Sequence, residues 1–173
     1  MMHPRIAVAA LTLSAAGFAG LLLEEGYTDK AVIPMKNDRP TVGFGSTFHE
    51  NGQPVKMGDT TTPHRAIIKA QTHINKEEKR FRDSLPGVAV SQAEYDLYLN
   101  WVYQYGTGAW GASSMRRALL AGNYKAACDA LLLYKKAGGF DCSDPKNWHG
   151  KGGDCRGVWV RQLERHAKCM EAQ

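Results

Sequence analysis

The sequence predicts an α+β fold that is mostly helical, and three observations lead to this prediction. Two β-prone runs flank a turn signal between residues 31 and 45. From Thr62 onward, helix caps and apolar residues at helical spacing recur to the end of the chain. The chain has 173 residues, 43% hydrophobic and 23% charged, which is the size and composition of one globular domain. A small β unit followed by a series of helices is an α+β arrangement.

The β unit is predicted as a hairpin with a third short strand. Its first two strands are Ala31–Met35 and Thr41–Gly45, and the Asn37–Pro40 sequence between them favours a turn. Glu50–Gly52 supplies a second turn, after which Val55–Met57 is predicted to form the third strand.

The first long helix is predicted from Pro63 to about Arg82. Thr62 is a suitable N-cap, and proline is favoured at the first helical position because no N–H is needed there. Its apolar side consists of residues at helical spacing: Ile67, Ala70, Ile74 and Phe81.

The second long helix begins with a capping box, in which Ser91 and Glu94 each bond the other's backbone N–H. It is predicted to end at Tyr105, because Gly106 fits the left-handed residue that closes a helix. Three shorter helices are predicted after it: Ser113 to about Gly122, Asn123 to Tyr134, and Gly157 to about Met170. A long loop, Gly138 to Arg156, precedes the last of them.

The N-terminal segment has the pattern of an export signal. Residues 6–23 carry no charge and follow Arg5, but many are alanine or glycine, which bury little apolar area in a bilayer. Three interpretations are open: an anchor that is retained and later released, a signal peptide removed after Ala19, or a permanent anchor. We favour the retained segment, because removal after Ala19 would leave only five residues before Glu25, a candidate site residue. Residues 1–23 then form a segment that joins the fold after release, and residues 24–173 form the main domain.

The four cysteines predict two disulfides, because an even number of cysteines in an exported chain is typical of disulfide bonding. None of them forms a C-x-x-C pair, and the nearby histidines do not complete a zinc-ligand spacing, so we expect no metal and no cofactor. The sequence allows three pairings. We favour Cys142 with Cys155 across the long loop, and Cys128 with Cys169 between two helices. The alternative is four buried free thiols.

The chain is modestly basic, with 22 Lys and Arg against 17 Asp and Glu, a formal net charge of +5. Such a charge attracts anionic partners such as nucleic acid, acidic lipid or the bacterial wall, although it also serves simple solubility. A nucleic-acid partner is disfavoured, because Glu77 and Glu78 interrupt the basic run of residues 76–82.

Three candidate catalytic residues lie close together in the first quarter of the chain. Glu25 ends an apolar helix, Asp38 lies in the hairpin turn, and Thr41 begins the next strand. Glycosidic cleavage needs a protonated carboxylic acid at the leaving oxygen and a second carboxylate. A glutamate at the end of an apolar helix is expected to be partly desolvated, which raises its pKa, whereas an aspartate in a polar turn stays ionised. A threonine hydroxyl can orient a water.

The motifs around these residues resemble those of phage-type lysozymes, glycoside hydrolase family 24. Leu23–Tyr27 followed by Thr41–Thr47 is similar to the glutamate–glycine and threonine–glycine–glycine signature of that family. Tyr95–Gly106 resembles its central helix, Ser113–Ala127 its next two helices, and Gly157–Arg165 its closing helix. The resemblance runs from about residue 21 to the end of the chain.

This resemblance implies a lysozyme-like fold, with a small β-hairpin lobe and a larger helical lobe around a glycan cleft, and a monomeric enzyme. It implies cleavage of the bond between N-acetylmuramic acid and N-acetylglucosamine in peptidoglycan, with inversion and without a cofactor. Glu25 matches the family's acid and Thr41 its catalytic threonine. The resemblance places substrate contacts near Thr47, Tyr103, Gln104 and Ser114.

The sequence departs from the family pattern at the second carboxylate. Pro34 and Met35 occupy the places where that residue is usual, and Asp38 lies thirteen residues after Glu25. We assign the role to Asp38, which requires a remodelled turn, because Asp29 comes too early in the hairpin. Ser46 stands where the family commonly has a histidine that supports the fold.

The N-terminal segment resembles that of signal-anchor-release endolysins, whose weakly hydrophobic segment directly precedes the catalytic glutamate. The resemblance implies export to the periplasm, a transient tether to the inner membrane through residues 6–23, and activity after release, leading to host cell lysis. The segment contains no cysteine, so we expect no control by thiol exchange.

Two other functions are alternatives. A lytic transglycosylase cleaves the same polymer with one acid and leaves an anhydro sugar. A non-catalytic wall-binding or membrane-anchored protein would use Glu25 only as a helix end.

Overall fold

A computed structural model describes residues 4–34, 38–148 and 155–173. The chain forms two compact units, one of residues 13–79 and one of residues up to 12 together with residues 80–173. Helices predominate in the described residues and the β-strands are short, which confirms the mostly helical α+β prediction.

The unit of residues 13–79 begins with helix α1, Ala15–Glu25. Ser14 caps it by accepting a hydrogen bond from the Gly17 N–H at 2.9 Å, and Gly26, with φ of 68°, ends it. Leu21 is the one residue of α1 that is buried, so most of this apolar helix lies at the surface.

A two-stranded antiparallel sheet follows α1. Strand β2, Thr28–Val32, pairs with β3, Thr41–Gly43, so that Thr28 faces Gly43 and Val32 faces Thr41. The predicted hairpin is therefore present, with its first strand three residues earlier than expected. Met35 and Asn37 of the prediction lie outside the described residues.

The predicted third strand at Val55–Met57 is wrong. Val55 is buried with Ala31 and Val42, and its N–H donates to the Thr47 carbonyl at 2.9 Å, but no strand continues from there. The next N–H, that of Lys56, donates instead to the Asp59 carboxylate at 2.8 Å. This local turn removes a donor that a strand would need for its neighbour.

Helix α2, Pro63–Asp83, agrees with the prediction within one residue. Its buried face contains Ala66, Ala70, Ile74 and Phe81, whereas Ile67, which the spacing placed on that face, is 41% exposed. The reason is that Ala66, one position earlier, packs against the backbone of β3 and turns Ile67 outward.

The second unit contains the remaining long helices. Helix α3, Gln92–Gly111, begins with the predicted Ser91–Glu94 capping box. Gly106 interrupts it with φ of 82° and ψ of 157°, as its predicted left-handed conformation requires. The helices that follow are α4, Ser114–Leu120, α5, Tyr124–Ala130, and α6, Arg156–Glu171, with a 3₁₀ turn at Leu131–Leu133 after α5.

Two more antiparallel pairs belong to this unit. Strand β1, Ile6–Ala7, pairs with β4, Ala89–Val90, and β5, Lys136–Ala137, pairs with β6, Phe140–Asp141. The long loop predicted from residue 138 therefore begins with a small hairpin, while its residues 149–154 lie outside the described part of the chain.

The disulfides join the cysteines in the favoured pairs. Cys128 bonds Cys169 and ties α5 to α6, with the two Cα atoms 5.5 Å apart. Cys142 bonds Cys155 across the loop, with Cα atoms 5.2 Å apart. The alternative of four free thiols is therefore wrong.

The N-terminal segment is not one continuous helix. Residues 4–23 comprise β1, a 3₁₀ turn at Val8–Ala10 and the first nine residues of α1. Val8 is fully buried and Leu11 nearly so. Within the described residues, no helix combines the length and the apolar character that crossing a membrane requires.

Candidate active site

Glu25 is the last residue of α1 and its side chain is exposed. The expectation that it is partly buried is wrong. The last turn of α1 lies at the surface, since Leu23 beside it is 83% exposed.

A tight turn after β3 brings the protein backbone against the Glu25 carboxylate. Val42 and Ser46 exchange two backbone hydrogen bonds, of 3.0 and 3.1 Å, across the three residues Gly43, Phe44 and Gly45. A Cβ placed on Gly45 would lie 3.0 Å from Oε2 of Glu25. The end of α1 and the glycine-rich turn therefore meet in one unit, although twenty residues separate them in the sequence.

Both glycines of the turn are required by the backbone. Gly43 has φ of 68° and Gly45 has φ of 71°, a region that L side chains disfavour. Gly43 also approaches α2 closely, because a Cβ there would lie 2.9 Å from Cβ of Ala66. Gly45 is therefore next to the acid, and Gly43 is fixed by its packing against α2.

Thr41 opens β3 and is half-buried. Its hydroxyl donates a hydrogen bond to the Val32 carbonyl at 3.4 Å. Since side chains alternate along a strand, Thr41 and position 43 belong to the same face of β3. Thr41 and Glu25 belong to the same unit, that of residues 13–79.

Two aromatic residues beside this turn are not among the predicted site residues. Tyr27 and Phe44 pack with ring centroids 5.5 Å apart and planes at 54°, and the Tyr27 hydroxyl donates to the Thr61 carbonyl at 3.4 Å. Tyr27 follows Glu25 by two residues and Phe44 precedes Gly45. The sequence signal that could have drawn attention to them is an aromatic residue in each of the two motifs, Leu23–Tyr27 and Thr41–Thr47.

Asp38 is exposed, and its carboxylate accepts a hydrogen bond from the Arg39 N–H at 2.8 Å. This bond is local to the turn. The role of Asp38 as the second carboxylate remains a prediction.

The four predicted substrate contacts belong to two different units. Thr47 is half-buried in the unit of Glu25, and its carbonyl accepts the Val55 N–H. In the other unit, Tyr103 is half-buried and Gln104 exposed, just before the break in α3. Ser114 begins α4, and its hydroxyl accepts a hydrogen bond from the Arg117 guanidinium at 2.9 Å. Binding of a glycan by these residues remains a prediction.

Charged groups elsewhere in the unit of Glu25 include the pairs Arg65 with Glu50 and His49 with Asp59. The hydrogen bond from Arg65 lowers the pKa of Glu50, and the Lys56 N–H together with His49 lowers that of Asp59. Burial lowers the pKa of Lys69. Among the described residues, no group of three or more His, Cys, Asp or Glu side chains is arranged to hold a metal ion.

Sequence comparison identifies the family. The sequence model of the phage lysozyme family matches residues 23–150, which include both motifs around Glu25 and Thr41. The chain belongs to the phage lysozyme family. It is therefore a lysozyme, a hydrolase of the cell wall with the muramidase-type activity of an endolysin.

Curated relatives and solved structures agree with this assignment. This lysozyme is 33% identical to the endolysin of Salmonella phage P22 over 128 residues, covering 74% of this chain and 86% of that protein. A solved structure of a point mutant of P22 lysozyme superposes with a TM-score of 0.71 and 29% identity, covering 92% of this chain and 99% of that one. An endolysin of the Escherichia coli O157:H7 phage FAHEc1 is similar in fold, with a TM-score of 0.77, 22% identity, and coverage of 95% and 96%. The predicted lysozyme-like fold is thereby confirmed.

Proposed function

We propose that this lysozyme cleaves the bond between N-acetylmuramic acid and N-acetylglucosamine, with Glu25 as the acid that protonates the leaving oxygen. The observation that carries the proposal is the carboxylate of Glu25 against the Gly45 backbone, in the same unit as Thr41. An acid at an accessible helix end, beside a rigid backbone turn, can reach a glycosidic oxygen without moving the chain.

The glycan itself supplies the desolvation that Glu25 lacks in the free enzyme. Glu25 is exposed and stands beside Gly45, which is also exposed. A sugar ring bound over these residues would exclude water from the carboxyl group. Loss of water disfavours the ionised form of a carboxyl group and favours the protonated form that an acid catalyst needs.

Thr41 and Asp38 complete the proposed reaction. In an inverting hydrolysis, water attacks from the face opposite the leaving group and passes a proton to a carboxylate. The Thr41 hydroxyl orients this water, and Asp38 accepts its proton. Glu25 returns to its ionised form as the leaving oxygen takes its proton, and exchange with solvent resets both carboxyl groups.

Substrate contacts are proposed at Thr47, Tyr103, Gln104 and Ser114, as the family resemblance implies. Exposed Gln104 and half-buried Tyr103 combine an amide, a hydroxyl and a ring face, which suit the hydroxyl groups and apolar faces of a sugar. The setting is the periplasm, which the chain reaches by its N-terminal segment through a transient tether to the inner membrane.

The decisive experiment compares Glu25→Gln with Glu24→Gln on purified peptidoglycan. Both residues are exposed, adjacent and at the end of α1, so the pair controls for charge and helix stability. We expect Glu25→Gln to reduce the rate by roughly 10²-fold or more, the usual contribution of a general acid, and Glu24→Gln to have little effect. Equal rates for the two variants would disprove the role of Glu25.

The products test Asp38 and the reaction type together. Asp38→Asn is expected to lower the rate strongly, whereas Asp29→Asn, the matched change at an exposed residue of β2, is expected to leave it nearly unchanged. Mass analysis of the released muropeptides then shows hydrated ends for a hydrolase. Anhydro ends, with full activity of Asp38→Asn, would favour a transglycosylase instead.

A further inference from the structure

A cluster of hydrogen-bond donors lies at the start of α4. The Ser114 N–H donates to the Tyr134 hydroxyl at 3.1 Å, and the Ser114 hydroxyl accepts a hydrogen bond from the Arg117 guanidinium at 2.9 Å. Ser114 therefore connects the other two side chains, and we call these three residues the α4 donor cluster. All three belong to the unit that contains residues 80–173, so the cluster is complete within one compact unit.

The α4 donor cluster has more donors than the folded chain uses. The Tyr134 oxygen accepts from the Ser114 N–H and the Ser114 oxygen accepts from Arg117, so each hydroxyl still has a proton to donate. A guanidinium has five N–H donors and no acceptor. In the described ranges of the chain, none of the three side chains pairs with a carboxylate. The cluster is therefore suited to a ligand that supplies acceptor oxygens and negative charge.

The neighbouring arginine shows the difference between a structural cation and one that can bind a ligand. Arg116 is half-buried and donates to the Ser84 carbonyl at 3.0 Å and to the Gly111 carbonyl at 3.4 Å. Its guanidinium thus fastens α4 to the residues before it. Arg117 is exposed and donates to the Ser114 hydroxyl. One such bond leaves most of the N–H groups of Arg117 for another partner.

The cluster is largely in place before a ligand binds. The Tyr134 ring packs edge-on against Trp101, which is fully buried, with ring centroids 4.9 Å apart and planes at 77°. Ser114 and Arg117 are three residues apart on α4 and so lie on the same side of the helix. Binding to donors that are already positioned costs less ordering of side chains, which favours affinity.

A carboxylate is the ligand group that fits this arrangement. Its two oxygens match the parallel N–H groups of a guanidinium, and nearby hydroxyls add charge-assisted hydrogen bonds. The sugars of peptidoglycan supply hydroxyls and amide carbonyls but no charge while the lactyl group of N-acetylmuramic acid carries a peptide. The stem peptides themselves carry free carboxylates, and they are attached to the strands that the enzyme cleaves.

We infer that the α4 donor cluster binds a carboxylate of the peptidoglycan stem peptide. This inference rests on the proposed function and extends it, because it adds Arg117 and Tyr134 to the substrate-binding residues and names the group that they recognise. The lactyl carboxylate has the same chemistry, but it is free only where the peptide has been removed. Strands that still carry their peptides are thus the preferred substrate.

Kinetics on chemically modified peptidoglycan test this inference. One sample is left intact, and in a second the carboxylates are converted to amides with a carbodiimide and ammonia. We expect Arg117→Met to raise the apparent KM on intact peptidoglycan about tenfold, because it removes a charge-assisted hydrogen bond, and to change kcat less than about twofold. On the amidated sample it should behave like the wild type. Lys125→Met, which removes a charge at an exposed position of α5, is the control for both samples. Equal KM values for Arg117→Met and Lys125→Met on intact peptidoglycan would overturn the site.

Tyr134→Phe tests the hydroxyl while keeping the ring against Trp101. We expect it to raise the apparent KM about threefold on intact peptidoglycan, the size of one neutral hydrogen bond, and to have no effect on the amidated sample. Tyr124→Phe, at another half-buried tyrosine of the same unit, is the control. An equal loss on both samples would show that Tyr134 only supports the fold and would remove it from the site. Arg117 is exposed, so Arg117→Met gives its answer even if Tyr134→Phe does not fold.

The source of the carboxylate is tested on strands from which an amidase has removed the peptides. These strands expose lactyl carboxylates alone. The effect of Arg117→Met on KM should disappear on them, and a persistent tenfold effect would overturn the stem peptide as the ligand.

A binding measurement separates this inference from the role of Glu25. Calorimetry with a soluble muropeptide is carried out on Glu25→Gln, which does not depend on catalysis. Adding Arg117→Met should weaken binding about tenfold, and amidation of the muropeptide should remove this difference. Unchanged affinity would overturn the α4 donor cluster whatever the outcome for catalysis, whereas an inactive wild type that still shows the difference would overturn the proposed function alone.

Discussion

At the scale of single residues, the two glycines of the turn after β3 have different functions. Gly43 is buried, with its Cα close to α2, whereas Gly45 is exposed beside the Glu25 carboxylate. Both have positive φ. A side chain at either position is strained by the backbone. At position 43 it would also disturb the packing against α2, and at position 45 it would also disturb the Glu25 carboxylate.

Alanine substitutions are expected to separate these effects. Gly43→Ala should destabilise the fold by about 3 kcal/mol, because strain adds to an overlap with Ala66. Gly52→Ala, which has positive φ but no atom within 4 Å of the new Cβ, is the control and should cost about 1 kcal/mol.

Gly45→Ala should cost about as much as the control but lower the hydrolysis rate roughly tenfold, because it displaces the acid. Urea unfolding measures the loss of stability of each variant, and the rate of peptidoglycan hydrolysis measures its activity. A Gly45→Ala enzyme with wild-type activity would contradict the proximity to Glu25.

Asp141, in strand β6, is expected to make the stability depend on pH. Hydrogen bonds from Ser143 and from Lys135 lower its pKa from the ordinary value of 3.8 to about 2. A carboxylate with a lowered folded pKa stabilises the fold above its unfolded pKa, and this contribution is lost as the pH falls through the folded value. Asp141→Asn should therefore be less stable than the wild type at pH 7, and the difference should shrink between about pH 4 and about pH 2.

Urea unfolding at pH 7 and at pH 2.5 measures this difference. Glu171→Gln, at the exposed end of α6, controls for the loss of one negative charge. A deficit of Asp141→Asn that is the same at both pH values would show that its hydrogen bonds, rather than its ionisation, stabilise the loop.

At the scale of elements, the helices were predictable because their signals are local. The capping box of Ser91 and Glu94 and the break at Gly106 need only neighbouring residues, and both are present as predicted. The strand predicted at Val55 failed because a nearby carboxylate, that of Asp59, competes for the backbone. Pairing partners far along the chain carry no such local signal.

The candidate site shows the same limit. The two motifs place Glu25 and Thr41 correctly at the end of α1 and the start of β3. The exposure of Glu25 was not predictable, because an apolar helix sequence does not show which of its turns is covered. The ion pair of Arg5 and Glu94 could not be predicted from sequence patterns either, because the two residues lie 89 positions apart.

Helix α1 offers a test of the proposed release from the membrane. A Cβ at Gly20 would meet no atom within 4 Å, so Gly20→Leu is expected to fold normally. The same change makes residues 6–23 more apolar and should hold them longer in the bilayer. We therefore expect delayed lysis when the full-length chain is expressed, with unchanged activity of the purified enzyme.

Gly108→Leu is the matched control, because Gly108 also lies in a helix with no atom within 4 Å of a new Cβ, but outside the N-terminal segment. It should leave the time of lysis unchanged. Normal timing for Gly20→Leu, in a folded and active protein, would contradict release as the step that starts lysis.

At the scale of the whole molecule, the disulfides connect the region that matches the family to the residues that follow it. The match ends at residue 150, so each disulfide joins a cysteine inside it to one outside, Cys155 or Cys169. Helix α6, which lies entirely after residue 150, is thereby tied to α5 by a covalent bond. Disulfides persist in oxidising compartments, which agrees with action on the cell wall.

The two disulfides are expected to contribute unequally to stability. Cys128 and Cys169 close a loop with a sequence separation of 41, and Cys142 and Cys155 one of 13. Loop-closure entropy in the unfolded chain then assigns about 4 kcal/mol to the longer loop and about 3 kcal/mol to the shorter. Replacing each pair by alanine and measuring urea unfolding should show Cys128→Ala/Cys169→Ala as the less stable variant by about 1 kcal/mol. The opposite order would mean that the loop of residues 142–155, rather than the link between α5 and α6, limits the stability of the unit.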